Sequence, residues 1–231
     1  AGLQPFPAYY RFMGPANTFG YPDRPEKQPP TLSVDEVVDS DANVIDIRPK
    51  QDYANAHIPG SLGLGMGDQV GVWAGWLLPH DSNIVFIANP DQDVAEAVNQ
   101  LAQIGMDRVL GVHYGLDDWT RAGQPTDSHR TTDVQGLASL IADDPTTQIL
   151  DVRAPNEHEA ASLDGSSWSY LPDLAKELPI ELTTDRPVFV ACGSGYRATA
   201  AVKWLEAGGF EPVVLIGGGI PDLVRTQPAR V

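Results

Sequence analysis

The run "VACGSGYRATAAV", residues 190–202, holds the only cysteine of the chain, followed by two glycines and an arginine. A thiol beside a glycine-rich turn is a candidate nucleophile, because such a turn can aim several backbone N–H groups at one point and form an anion-binding nest. Gly193 and Gly195 permit backbone angles that other residues resist. A helix starting near Arg197 would add the partial positive charge of its N-terminus. Arg197 itself supplies a fixed charge and a fork of donors suited to an oxyanion. Together these groups would hold negative charge on the Cys192 sulfur, and the anion is the nucleophile. The candidate catalytic residues are therefore Cys192 and Arg197. Gly193, Ser194, Gly195 and Tyr196 are the candidate substrate-binding residues, the glycines through their amides, Ser194 and Tyr196 through substrate shape and polarity. This chemistry calls for no metal and no organic cofactor.

Something must hold that turn in place. The β-branched run "PVFVA" (187–191) ahead of it reads as a strand, and Arg197–Ala207 reads as a helix ended by Gly208 and Gly209. The same grammar occurs earlier in the chain. "VIDIRPKQDYANAHIPGSL" (44–62) matches "ILDVRAPNEHEAASLDGSS" (149–167), aligning Asp46 with Asp151 and Arg48 with Arg153. "IVFIANPDQDVAEAVNQLAQIGMDRV" (84–109) matches "PVFVACGSGYRATAAVKWLEAGGFEPV" (187–213), with one residue missing from the first at the turn. A repeat of roughly 100 residues is longer than the 20–50 of solenoid units and reads as two copies of one domain. Ser33 with Glu36, and Thr132 with Gln135, are capping-box signatures that open the copies. Apolar strands alternating with helices predict parallel sheets covered on both faces. The fold class is α/β: two small domains, each a parallel sheet flanked by helices, over 31–125 and 126–231. The proline- and aromatic-rich residues 1–30 fit neither copy and are expected to be an extended segment or linker.

Cys-x-x-Gly-x-Arg between an apolar strand and a helix resembles the active-site loop of the rhodanese sulfurtransferases. "DVRAPNEHE" is similar to the family's Asp-x-Arg…Glu segment, and "HIPGS" (57–61) to its His-Ile-Pro-Gly-Ala segment. "VVLIGGGIPDL" (213–223) is similar to its closing glycine pair. The resemblance covers about 200 residues as a tandem pair, and it implies a persulfide relay. Cys192 would take sulfane sulfur from thiosulfate or a low-molecular-weight persulfide and pass it to cyanide, sulfite or a thiol. Its partners are thus a small-molecule sulfur donor and acceptor. Phosphatases and arsenate reductases related to this fold use one more residue between cysteine and arginine; here four intervene. A non-catalytic binding or regulatory module is the other alternative.

The first copy carries "ANPDQDVAEA" in place of "ACGSGYRATA". Asn89 stands at the cysteine position, both glycines are absent and Asp93 replaces the arginine. Such a turn would repel anions and has no nucleophile, so copy one reads as a degenerate, inactive domain. The second copy departs from the family where "SLDG" (162–165) replaces His-Ile-Pro-Gly, which puts its local loop geometry in doubt. Arg153 with Glu157, and Arg48 with Asp52, are expected ion pairs. The segment "FPAYYRFMGPAN" (6–17) resembles the connector of proteins that fuse a metallo-β-lactamase-fold persulfide dioxygenase to rhodanese domains. That resemblance implies the C-terminal part of a longer polypeptide.

Composition narrows the alternatives. Fifteen basic against 31 acidic residues give a net charge of −16, which argues against nucleic acid or an anionic membrane surface as partner. No stretch approaches the roughly 18 apolar residues of a membrane span. A lone cysteine suits a reducing compartment, here the cytoplasm. The five histidines show neither His-x-His nor His-x-x-x-His spacing, so no zinc site is expected.

Overall fold

The computed structural model of the protein describes residues 6, 7, 9–19 and 28–226. The chain divides into two compact units, Ala1–Pro49 with Leu64–Pro125, and Lys50–Gly63 with Thr126–Val231. In chain order the elements begin with α1 (Tyr10–Phe19), α2 (Val34–Asp39), β1 (Asn43–Asp46), α3 (Lys50–Asn55) and β2 (Leu62–Gly63). α4 (Val70–Leu77), β3 (Ile84–Ala88), α5 (Val94–Gln103), β4 (Val109–Tyr114) and α6 (Asp117–Arg121) follow. The second copy contributes β5 (Arg130–Thr132), α7 (Val134–Asp143), β6 (Gln148–Asp151), α8 (Pro155–Ala160) and β7 (Ser167–Trp168). It closes with α9 (Leu171–Leu174), β8 (Val188–Ala191), α10 (Tyr196–Ala207), β9 (Pro212–Leu215) and α11 (Ile220–Thr226).

In the first unit β1, β3 and β4 run parallel in that order, with Val44 opposite Val85 and Val85 opposite Gly111. All five residues of β3 are buried, as a central strand covered on both faces requires. The second unit holds a five-stranded parallel sheet in the order β5-β9-β8-β6-β7. One side of it packs Ile149, Ala191 and Leu215 against Leu137, Ile220 and Leu223 of α7 and α11. Ala191 is the residue before Cys192, so the nucleophile candidate leaves the sheet from a fully buried anchor. The α/β class with parallel sheets flanked by helices is what alternating apolar strands and capped helices dictate.

Three local expectations are corrected. The segment Lys50–Gly63 belongs to copy one in sequence but groups with the second unit. His57 and Asp127 exchange backbone hydrogen bonds of 2.9 Å each, and the His129 N–H donates to Ala54 O at 3.0 Å. Gly63 lies so close to Thr199 that an added Cβ would come within 2.9 Å of its methyl group. Second, the N-terminal segment is not simply extended, because residues 10–19 are helical. Tyr9 is buried where it lies against Gly75, and Phe12 stacks on His80 at 4.1 Å. Aromatics three apart form one helical face, and tertiary packing overrides the proline-rich composition. Residues 1–5, 8 and 20–27 of that segment lie outside the described residues. Third, Ser33 and Glu36 form the expected capping box, but α7 is capped one residue later than expected. There Asp133 accepts the Gly136 N–H at 2.7 Å.

Candidate active site

β8 delivers the chain to Cys192 and α10 carries it away, so the turn 192–195 has fixed ends. Gly195, at φ 84°, is the N-cap of α10. A side chain there would be strained, and its Cβ would sit 2.7 Å from Leu215 O. That backbone turns the Gly195 N–H onto Cys192 Sγ at 3.2 Å. The Gly195 carbonyl points the other way and accepts from the Thr199 N–H at 2.9 Å and Oγ1 at 2.8 Å. Among the described residues the Gly193 and Ser194 amides make no hydrogen bond, and both residues are exposed. Cys192 itself is 1% exposed. Behind the turn, the Ile220 N–H donates to Cys192 O at 2.8 Å. A Cβ on Gly219 would approach Cys192 O and Gly193 O to 2.3 and 2.4 Å. The closing glycine run therefore lets the β9–α11 connection lie flat against the cradle.

Arg197 reaches back over this turn, its Nη2 about one contact distance (3.3 Å) from where a Gly193 Cβ would be. Its guanidinium is held bidentately by Glu157, with Nη2 to Oε1 at 2.8 Å and Nη1 to Oε2 shorter still. Burial opposes the arginine's charge, but Glu157 and Cys192 outweigh it and leave its pKa raised. Hydrogen bonds from Arg197 hold the Glu157 carboxyl below its ordinary range against the opposing effect of burial. The Tyr170 hydroxyl, within electrostatic range of both, has its pKa raised chiefly by burial. From the outer side the Lys50 ammonium donates to Ser194 O at 2.7 Å. The cradle thus presents two amides without a hydrogen bond among the described residues, one N–H on sulfur and a partly buried arginine, an arrangement able to bind an anion beside a thiol.

The profile of the rhodanese-like domain family matches residues 33–122 and 133–226. The chain belongs to the rhodanese family. It is similar to the rhodanese-like/PpiC domain-containing protein 12 of Arabidopsis thaliana, 38% identical over 76 residues, which are 32% of this chain and 25% of that protein. The thiosulfate sulfurtransferase GlpE of Pseudoalteromonas translucida is 29% identical over 79 residues, 34% of this chain and 74% of the relative. Among solved structures, a thiosulfate sulfurtransferase from Pseudomonas aeruginosa is 23% identical with a TM-score of 0.35, covering 84% of this chain and 44% of that one. The chain spans a quarter of the length of the plant relative.

Both rhodanese domains keep the Asp-x-Arg clamp, and in the second the expected partner Glu157 is hydrogen-bonded to Arg197 instead. Arg153 is 2% exposed and hydrogen-bonds Asp151 through Nε and Nη2 at 3.0 and 2.8 Å, with Nη2 also on Ala161 O. Arg48 grips Asp46 in the same way at 3.0 and 2.6 Å. Glu157 is thereby free to hold Arg197 rather than Arg153. A pairing of arginine with a carboxylate two residues earlier is not apparent from side-chain spacing. It requires the strand to end at the aspartate and the chain to fold back.

In the first domain the corresponding turn is closed on itself. Gln92 Oε1 accepts the Asn89 N–H at 2.7 Å, and its Nε2 donates to Ile47 O at 2.7 Å. Asp93, at the arginine position, caps α5 by accepting the Glu96 N–H at 3.1 Å. Sequence reasoning also missed Lys50 and Tyr170, which reach the cradle from distant segments. It read the histidines as scattered, whereas His57, His129 and Glu206 converge in the second unit, their ligand-capable atoms all within 4.8 Å. Burial first, and then His57, push the His129 pKa down to about 4. Three separate segments supply this cluster, so no short spacing could announce it.

Proposed function

We propose that the second rhodanese domain is a sulfurtransferase. It moves sulfane sulfur from thiosulfate or a low-molecular-weight persulfide to a thiophilic acceptor through a persulfide on Cys192. In the first half-reaction the Cys192 sulfur attacks the outer sulfur of the donor. A new S–S bond forms, the donor's S–S bond breaks, and sulfite or a thiolate leaves with the electron pair. In the second, cyanide, sulfite or a thiolate attacks the outer sulfur and returns the cysteine thiolate. This is covalent catalysis, and the loop amides with Arg197 would stabilise sulfur-centred negative charge in both halves. The observation that carries the reading is the Gly195 N–H on Cys192 Sγ at 3.2 Å, in a turn whose Gly193 and Ser194 amides make no hydrogen bond among the described residues.

The first domain is proposed to be catalytically inactive. The lone cysteine favours a reducing compartment, the cytoplasm. The acidic charge disfavours nucleic acid, and no described helix is long and apolar enough to cross a membrane. A metallo-β-lactamase-fold domain ahead of residue 1 in the same polypeptide is proposed as a partner from the resemblance of residues 6–17. A binding-module reading draws on Arg197 being committed to Glu157. Thiocyanate formation from thiosulfate and cyanide decides between them. Turnover that disappears in Cys192→Ser supports the relay, while equal rates for wild type, variant and buffer leave only the binding module.

A further inference from the structure

At the end of α10 away from Cys192, the second unit gathers two imidazoles and a carboxylate. His57 is completely buried, stacked on Tyr53 at 4.1 Å between ring centres. Its Nδ1 lies 2.9 Å from Tyr53 O. A carbonyl only accepts, so Nδ1 donates to it and Nε2 is the ring atom left to face outward. Nε2 lies 3.0 Å from Glu206 Oε2, so an imidazole nitrogen and a carboxylate oxygen share a gap that a proton or a metal ion can bridge. His129 lies beside them, its ring centre 5.6 Å from that of His57. Both His129 ring nitrogens are buried and without a hydrogen-bond partner among the described residues. Unpartnered buried ring nitrogens call for a partner, and here the His129, His57 and Glu206 ligand atoms all lie within 4.8 Å of one another.

We infer that His57, His129 and Glu206 form a binding site for a divalent transition-metal ion, with zinc as the cation that fits. Two imidazoles and one carboxylate are a known zinc donor set, and three protein ligands leave one position for water. Tyr53 O fixes the tautomer of His57, the outer-shell arrangement usual for a ligating histidine. A tetrahedral ion with bonds of about 2.0–2.2 Å would part the His57–Glu206 contact slightly and draw His129 in, adjustments within the freedom of side chains on a pocket wall. A cleft of about 590 Å³ beside the cluster is lined by His129, Glu206, Asp127 and Phe210 among others, and would give an ion its entry path. Neighbouring cations are already engaged: Arg130 on Glu211, Lys203 on Gly60 O. Preorganisation comes from the backbone, since residues 57 and 127 exchange hydrogen bonds. An ion here would tie Lys50–Gly63 to α10 and to the strand entering β5.

The test uses the full chain, stripped with chelator and titrated with zinc, then with cobalt(II) as a spectroscopic probe. One zinc per chain is expected, with the intense visible bands of tetrahedral cobalt and a thermal midpoint that rises with added zinc. His129→Ala and Glu206→Gln should weaken zinc by more than roughly 100-fold, beyond the loss typical of an outer-shell partner, and should abolish the thermal shift. Cys192→Ser should bind as wild type does, without change in the cobalt spectrum, which separates this site from the sulfur-transfer reading. His57 is buried enough that its substitution could simply unfold the protein, so the two other variants carry the test. No zinc at micromolar concentration, binding unaffected in both variants, or binding lost in Cys192→Ser would each overturn the inference.

Discussion

The two turns at Asn89–Asp93 and Cys192–Arg197 leave equivalent strands and enter equivalent helices, yet they solve the same hydrogen-bonding problem in opposite ways. In the first domain a side-chain carbonyl, that of Gln92, takes up the N–H of Asn89. In the second no amide side chain fills the turn: glycine frees the backbone, and the Cys192 sulfur accepts the Gly195 N–H. Asp93 satisfies its own helix, whereas Arg197 is stretched across the turn toward a carboxylate from α8. The comparison teaches that the sheet and helices are a neutral scaffold. Whether the turn binds an external anion depends on whether the protein has already filled it.

The largest effect should come from the sulfur itself: Cys192→Ser is expected to abolish thiosulfate–cyanide turnover, measured as thiocyanate released. The comparison sharpens if a cysteine is then restored on the other side. Asn89→Cys in that background should remain inactive in the same assay, because Gln92 and Asp93 still occupy the first turn. Appreciable turnover would mean that the scaffold, not the loop, makes the chemistry. Next in size, Arg197→Ala should lower kcat/KM by roughly 10²–10³-fold, the usual cost of removing one charge-stabilising donor.

Smaller effects fall on stability. Gly195→Ala should cost about 1–3 kcal/mol in urea unfolding, from the left-handed backbone alone. Gln92→Ala in the first domain should cost about 1–2 kcal/mol for two lost hydrogen bonds. The smallest effect is a pH dependence. The Glu157 carboxyl is depressed below its ordinary value of 4.5 by Arg197. Its contribution is therefore present above that pH and lost as pH falls through the folded value. The urea midpoint of wild type should exceed that of Glu157→Gln near neutrality, with the gap closing in acid.

Much of this was legible in the sequence, for identifiable reasons. Apolar runs such as "IVFIA" and "VFVA" are central strands, and Gly195 and Gly209, both at positive φ, sit at turns that favour glycine. The thiol, glycines and arginine of the loop are contiguous, so their neighbourhood needed no tertiary knowledge. What was hidden lies in long-range closure. Glu157 holds Arg197 rather than Arg153, because the aspartate-arginine clamp is satisfied locally. The tandem repeat pointed to a clean cut between copies, yet Lys50–Gly63 packs with the second unit, and with it go Lys50 at the cradle and His57 beside His129. The helix at Tyr10–Phe19 was masked by prolines, and only its aromatic contacts explain it.

The most direct measurement is intact mass after incubation with thiosulfate and desalting, for wild type and Cys192→Ser in parallel. The account predicts a gain of one sulfur atom on the wild type, removed by cyanide and missing from the variant. An unchanged wild-type mass with both thiosulfate and glutathione persulfide, or an equal gain in the variant, would contradict it.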